Sequence, residues 1–165
     1  MRELHLPSRL GDTEPIMKLI VAAAILSLPL AAEEPAVFPA NISKIYRIRI
    51  DKNANLLESI QAAIGKHGIR DGAVLTAAGS LGECTFHGVG GTKQSVKEDM
   101  EINHLGGIIA NAEPHLHVVL SNAKRGAFGG HLEAGCRVSN RVELTIAQFG
   151  GSPLHREKGS LEPKK

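Results

Sequence analysis

The segment PHLHVVLSNAKRGAFGGHLEAG, residues 114–135, decides how the rest of the chain is interpreted. Its first half has the alternation of a β-strand, in which residues two apart share a face. His115 and His117 then lie side by side. The opposite face turns three apolar side chains toward a core: Leu116, Val118 and Leu120. The glycine-containing stretch 126–130 predicts a turn, after which His131 opens the next strand.

Pairing of these two strands would bring three imidazoles together. Zinc accepts neutral imidazole ligands, and a site with three histidines leaves a fourth coordination position for another ligand. Gly129 and Gly130 support this interpretation, because glycine lets a backbone pass close to a ligand. Ordinary strand histidines are the alternative, since two histidines in alternation are a weak signal on their own. We predict a metal site, with zinc as the ion, at His115, His117 and His131.

Glu133 is a candidate for chemistry beside this metal. It follows His131 by two residues and so shares its face. A carboxylate there could orient a ligating histidine or act as a general base, or it could be a solvated strand residue. His87 and His104 have no partner that the sequence identifies. Cys84 and Cys136 are the two cysteines of the chain, and the sequence does not settle whether they pair.

Length and composition exclude some classes of function. The 165 residues suit one domain, and 42% of them are hydrophobic. Aromatic residues make up 3% and Trp is absent, which argues against a base-stacking platform for single-stranded nucleic acid. The formal net charge is +2, and removing residues 1–32 takes away three basic and three acidic residues, so it stays +2. A near-neutral chain lacks the overall charge of a duplex-binding protein.

The segment MKLIVAAAILSLPLAA, residues 17–32, has the pattern of a secretory signal peptide. We interpret Met17 as the initiator, residues 1–16 as an N-terminal extension, and Ala32 as the last residue before cleavage. A buried N-terminal helix and an uncleaved anchor are the alternatives, although the apolar run is short for a stable membrane span. The protein is therefore expected to be periplasmic or secreted.

Residues 33–42 are expected to be a mobile lead-in, residues 43–150 one domain, and residues 151–165 a disordered tail. Alternation predicts strands over 44–51 and 141–149. Residues 72–87 predict two strands, or one strand with a bulge near 79–82. One clear helix covers 55–66, with Asn55 and Glu58 as a capping box and Gly65 or Gly68 at its end. The fold class is α+β, a mostly antiparallel sheet with one main covering helix.

Four short motifs together resemble the PPC domain, the plant and prokaryote conserved domain also called DUF296. They are Gly79-Ser80-Leu81, Met100-Glu101-Ile102 with Leu105-Gly106-Gly107, His115-Leu116-His117-Val118, and Gly129-Gly130-His131-Leu132. The resemblance covers about residues 43–149 and implies a small α/β domain that assembles as a homotrimer. For several prokaryotic members it implies a metal, usually zinc, on histidines matching the three above. Glu101 matches a family position and is a second catalytic candidate, which could line the same cavity in a trimer.

In plants this domain follows AT-hooks in DNA-binding proteins, and the present sequence departs from that pattern. Its nearest piece to a hook is Lys124-Arg125-Gly126, and residues 98–103, EDMEIN, share only Glu and Ile with the plant motif Gly-Arg-Phe-Glu-Ile-Leu. Our first hypothesis is an exported zinc-binding trimer with a small-molecule ligand. The alternatives are a non-catalytic trimeric binding module, in which the metal only fixes shape, and a DNA-binding protein. Export argues against nucleic acid as the partner.

Overall fold

The structure, a computed structural model, describes residues 34–151 and 153–163. The predicted signal peptide and the interpretation of Met17 as the start lie outside the described residues. The elements, in chain order, are β1 (Asn41–Asp51), α1 (Leu56–His67), β2 (Gly72–His87), β3 (Lys93–Val96), β4 (Met100–Ala110), β5 (Glu113–Asn122), β6 (Gly126–Leu132), β7 (Arg137–Gly150), β8 (Leu154–Glu157) and β9 (Ser160–Pro163).

Seven of these strands form one antiparallel sheet in the order β1-β7-β2-β4-β5-β6, with β3 beside the end of β2. The prediction of a mostly antiparallel sheet with a covering helix is confirmed. Of the two interpretations of residues 72–87, the single bulged strand is the one observed, with register shifts near Gly79 and Leu81. The last residues of β2 also pair with β6, so that Phe86 lies opposite Leu132 and His87 opposite His131.

The helix α1 places its apolar stripe on the core. Leu56, Ile60 and Ile64 are buried, and burying an aliphatic side chain contributes about 1.5–3 kcal/mol. Gly68 ends the helix in the left-handed conformation, at φ 64°. The predicted capping box is wrong, because Asn55 makes no side-chain capping bond. The Glu58 carboxylate instead accepts a hydrogen bond from the Gly135 N–H at 3.2 Å, a residue distant in sequence.

Alternation along the strands sets the two faces of the sheet. On β5, Leu116, Val118 and Leu120 are buried in the core as predicted. The same alternation keeps His115 and His117 out of the core. β1 behaves in the same way, since Ile50 is buried while the neighbouring arginines of that strand are exposed.

A disulfide joins Cys84 of β2 to Cys136, which lies just before β7. Both cysteines are fully buried. The bond therefore links the strand that ends at His87 to the turn that follows β6.

The prediction of a disordered tail is wrong for residues 154–163, which form the hairpin β8–β9. Its two-residue turn consists of Lys158 and Gly159, both at positive φ, which matches the right-handed twist of paired strands. The Leu154 N–H donates to Asp71 Oδ1 at 3.1 Å and so fixes the start of the hairpin beside the main sheet. No helix among residues 34–151 and 153–163 is long and apolar enough to cross a membrane.

Candidate metal centre

The structure brings the three predicted histidines together. His117 of β5 lies directly opposite His131 of β6, and His115 is two residues earlier on the same face. The ring centroids of His115 and His131 are 4.7 Å apart, and those of His117 and His131 are 5.4 Å apart. One ring nitrogen from each of the three lies within 4.8 Å of the other two.

Two glycines allow the neighbouring strands β4 and β2 to approach the β5–β6 pair closely. At Gly107 a Cβ would collide with the carbonyl oxygen of His115, and the backbone there has φ 147°, which side chains rarely adopt. At Gly130 a Cβ would collide with the carbonyl oxygen of His87. Gly107 therefore allows β4 to pack closely against β5, and Gly130 allows β2 to pack closely against β6.

The donor set fits a zinc ion. Zinc–nitrogen bonds of about 2.0–2.1 Å in a tetrahedral arrangement place ligand nitrogens about 3.3 Å apart. Donors that already lie within 4.8 Å of one another would reach that spacing by side-chain rotation. Burial lowers the pKa of His115, and the positive charge of Arg156 lowers it further. Burial and then neighbouring His87 lower the pKa of His131. Lower pKa values keep these imidazoles neutral, which is the form that binds metal.

His87 also belongs to the site, although the sequence identified no partner for it. Its Nδ1 lies 2.7 Å from Glu133 Oε1, and its ring centroid is 4.6 Å from that of His131. The second carboxylate oxygen of Glu133 accepts from Lys93 Nζ at 2.8 Å. Hydrogen bonds from Lys93 and His87 lower the pKa of Glu133 and hold it ionised. Glu133 therefore lies in contact with His87, and it orients that residue rather than a predicted ligand.

A second group with metal-ligand spacing consists of His87, His131 and Glu133. It shares His131 with the first group. The signal that could have revealed His87 is its pairing with His131 across β2 and β6. That pairing joins residues far apart in sequence, and no local pattern predicts it.

Glu101, the other catalytic candidate, is not brought to the histidines within one chain. It is exposed on β4, opposite Ser80 of β2 and Ser121 of β5. Neither Glu101 nor His104 belongs to a group of metal-ligand spacing among the described residues.

The domain as a whole is similar to known proteins. Residues 38–150 match the model of the Plants and Prokaryotes Conserved (PCC) domain. Among curated proteins, the chain is 29% identical over 132 residues to a Bifunctional protein GlmU from Synechococcus, covering 79% of this chain and 20% of the relative. The chain thus spans about a fifth of the length of the curated relatives that it matches.

Solved structures share the fold. A plant- and prokaryote-conserved (PPC) protein from Pyrococcus horikoshii is 22% identical with a TM-score of 0.64, over 79% of this chain and 98% of that one. A metal-containing protein from Archaeoglobus fulgidus is 21% identical with the same TM-score of 0.64 and the same coverage, 79% and 98%. A candidate DNA-binding protein from Bacteroides thetaiotaomicron is 22% identical with a TM-score of 0.62, over 75% and 94%.

Proposed function

The chain belongs to the Plants and Prokaryotes Conserved (PCC) domain family, and from that premise we propose that it binds a zinc ion through His115, His117 and His131. The observation that carries the proposal is the spacing of the three imidazoles, whose donor atoms lie within 4.8 Å of one another. The name of the metal-containing relative from Archaeoglobus fulgidus supports a metal in this fold.

The surroundings favour a ligand-binding ion over one that only fixes shape. A structural zinc site takes four protein ligands, whereas an ion with three leaves a position for water or a ligand. Within the described residues, the two cysteines are joined to each other, and neither His87 nor Glu133 belongs to the group of His115, His117 and His131 whose donors all lie within 4.8 Å of one another. A zinc ion so held would supply a Lewis acid for a small-molecule ligand.

Export is part of the proposal. The support is the signal-like segment at residues 17–32 together with the buried disulfide between Cys84 and Cys136. Disulfides persist in oxidising compartments and are rare in the cytosol. A DNA-binding role is the alternative, and the name of the Bacteroides thetaiotaomicron relative supports it. Export and the near-neutral charge of +2 argue against it.

A homotrimer is also proposed, because one chain leaves apolar side chains uncovered. Ile45 of β1 is 47% exposed, Leu75 of β2 is 49% exposed and Val119 of β5 is 38% exposed. A sheet covered by one helix needs another layer on its second face, and partner subunits provide one. Light scattering that gives a monomer mass at micromolar concentration would contradict the trimer.

Metal analysis of the purified protein tests the zinc proposal. We expect about one zinc per chain, and loss of most of it in His117→Ala. His104→Ala is the matched control, since His104 is an exposed strand histidine outside both groups. Circular dichroism shows that each variant is folded. Full zinc retention in a variant with all three ligands replaced by alanine would overturn the proposal.

A further inference from the structure

A row of directly opposed residues crosses the sheet through the candidate metal centre. Lys93 of β3 lies opposite His87 of β2. His131 of β6 lies opposite His87 on one side and opposite His117 of β5 on the other. Directly opposed residues of paired strands project from the same face of the sheet. His131 therefore has the histidines of β5 on one side and His87 on the other.

On the β2 side of this row, three residues offer two ring nitrogens and a carboxylate oxygen. They are His87, His131 and Glu133, and one ligand atom from each lies within 4.8 Å of those from the other two. His87 Nδ1 and Glu133 Oε1 are 2.7 Å apart. A slight opening of this pair would admit a metal ion in place of the proton between them. Two histidines and one carboxylate form a set that binds divalent transition metals.

The backbone on both sides of this group is tied together. The Glu133 N–H donates to the carbonyl oxygen of Thr85 at 3.1 Å, which links the end of β6 to β2. The disulfide joins Cys84, three residues before His87, to Cys136, three residues after Glu133. Ligands held by a rigid backbone lose less conformational freedom when they bind. The group is therefore organised for an ion before one arrives.

The neighbours of this group leave its ligand atoms accessible to an ion. Lys93 Nζ binds Oε2 of Glu133 at 2.8 Å, so the lysine orients the carboxylate without occupying Oε1. The ring of His131 contacts those of His87, His115 and His117, and it makes no hydrogen bond to any residue in the described part of the chain. An ion pair of His87, Glu133 and Lys93 alone would not require a third histidine beside it.

We propose that His87, His131 and Glu133 bind a second divalent transition-metal ion, beside the zinc ion of the three histidines. The two positions share His131, whose ring has two nitrogens, one for each ion. The second ion replaces the proton between His87 and Glu133, which moves to the other nitrogen of His87. His131 releases its remaining ring proton to the solvent.

The second position is expected to be the weaker of the two, because metal binding there has to displace these protons. The zinc ion that is purified with the chain then occupies the three-histidine position, and added metal fills the second. This inference goes beyond the proposed function, since His87 and Glu133 are not among the zinc ligands proposed above.

The test uses the full chain loaded with one equivalent of zinc and dialysed against known concentrations of cobalt(II). Metal analysis counts both metals in each sample, and circular dichroism shows that each variant is folded. We expect the wild type to bind one cobalt per chain in addition to its zinc. Glu133→Gln and His87→Ala should each weaken cobalt binding by at least about tenfold, since even residues outside the ligand set change metal affinity by that factor.

Glu157→Gln is the matched control. Glu157 is likewise a carboxylate beside a histidine, 3.8 Å from His155, but among the described residues this pair belongs to no group of metal-ligand spacing. Its cobalt binding should equal that of the wild type. A His115→Ala/His117→Ala variant removes two ligands of the first position and should still bind one cobalt through the second.

A wild type that holds its zinc and takes up no cobalt would overturn this inference and leave the proposed function intact. Equal cobalt affinity in the wild type and a folded Glu133→Gln would also overturn it, because the cobalt would then lie elsewhere. Loss of cobalt from a folded His115→Ala/His117→Ala variant would have the same meaning. A wild type that binds no zinc at the three histidines, but one cobalt that Glu133→Gln removes, would overturn the proposed function and support this inference.

Discussion

The histidines of β5 and β6 and the residues around His87 reach the same site by different routes. His115, His117 and His131 lie on two consecutive strands joined by a short turn, and 16 positions separate the first from the last. His87 and Glu133 are 46 residues apart and meet because β2 returns to β6. Local pairing therefore assembles the candidate ligands, whereas distant pairing supplies the groups that surround them.

This difference suggests that the two regions depend on different parts of the fold. The β5–β6 pair needs only its own register to align His117 with His131. The His87–Glu133 pair needs β2 to remain attached to β6. Perturbations of the attachment should therefore affect His87 and Glu133 more than the three ligands.

The largest effect on stability is expected from the disulfide, which joins β2 to the turn after β6. Cys84 and Cys136 are 52 residues apart, and a loop of that length corresponds to about 4 kcal/mol of unfolding free energy in the chain-entropy treatment. Adding a reductant should lower the urea midpoint of the wild type accordingly. A Cys84→Ala/Cys136→Ala variant should already show that lower midpoint and should not respond to the reductant. A wild-type midpoint that is insensitive to full reduction would contradict the prediction.

Gly130→Ala should separate β2 from β6 more directly. Its new Cβ would collide with the carbonyl oxygen of His87, a backbone atom that cannot move aside alone. Forcing extra volume into a packed contact costs about 1–3 kcal/mol. Gly88→Ala is the control at the same edge, since nothing lies within 4 Å of the place that its Cβ would occupy. Similar urea midpoints for the two variants would show that β2 and β6 are not held as closely as described.

Glu133→Gln tests whether the outer groups tune the metal. The substitution keeps the shape but removes the charge that binds Lys93 and His87. Residues that hydrogen-bond to metal ligands change metal affinity by about 10–100-fold. Glu133 contacts His87 rather than one of the three proposed zinc ligands, so its effect should lie at the lower end of that range. We therefore expect a loss of about tenfold in a chelator competition with zinc.

Glu98→Gln provides the comparison for that experiment. Glu98 is also a carboxylate with two partners, Asn122 and Arg125, but these lie at the turn between β5 and β6. Its replacement should leave zinc affinity unchanged. An equal loss in both variants would mean that any lost surface carboxylate weakens binding, and that Glu133 has no special position.

The sequence predicted what depends on alternation and on neighbouring strands. It placed Leu116, Val118 and Leu120 in the core and brought the three histidines together, since both follow from a two-residue period and one turn. It could not predict that His87 lies at the site, because the pairing of β2 with β6 depends on the arrangement of the whole sheet. The hairpin at 154–163 was missed because its short strands are polar, and the turn at Lys158 and Gly159 was the available signal.

The smallest effect on stability is expected from pH. The two regions should lose their contributions to stability in different pH ranges. The folded, metal-free protein lowers the pKa of His115 and His131 below the usual 6.5, so the unfolded chain binds protons there first. Stability from these groups is complete above pH 6.5 and is lost as the pH falls through their folded pKa values. The pKa of Glu133 is lowered below 4.5, so its contribution is lost only at more acidic pH.

Urea midpoints of metal-free protein should therefore decline in two stages. Replacing His115 and His131 by glutamine should remove the first stage, and Glu133→Gln should reduce the second. If the double histidine variant keeps the first stage unchanged, burial of these imidazoles is not its origin, and the two regions do not differ in the way described.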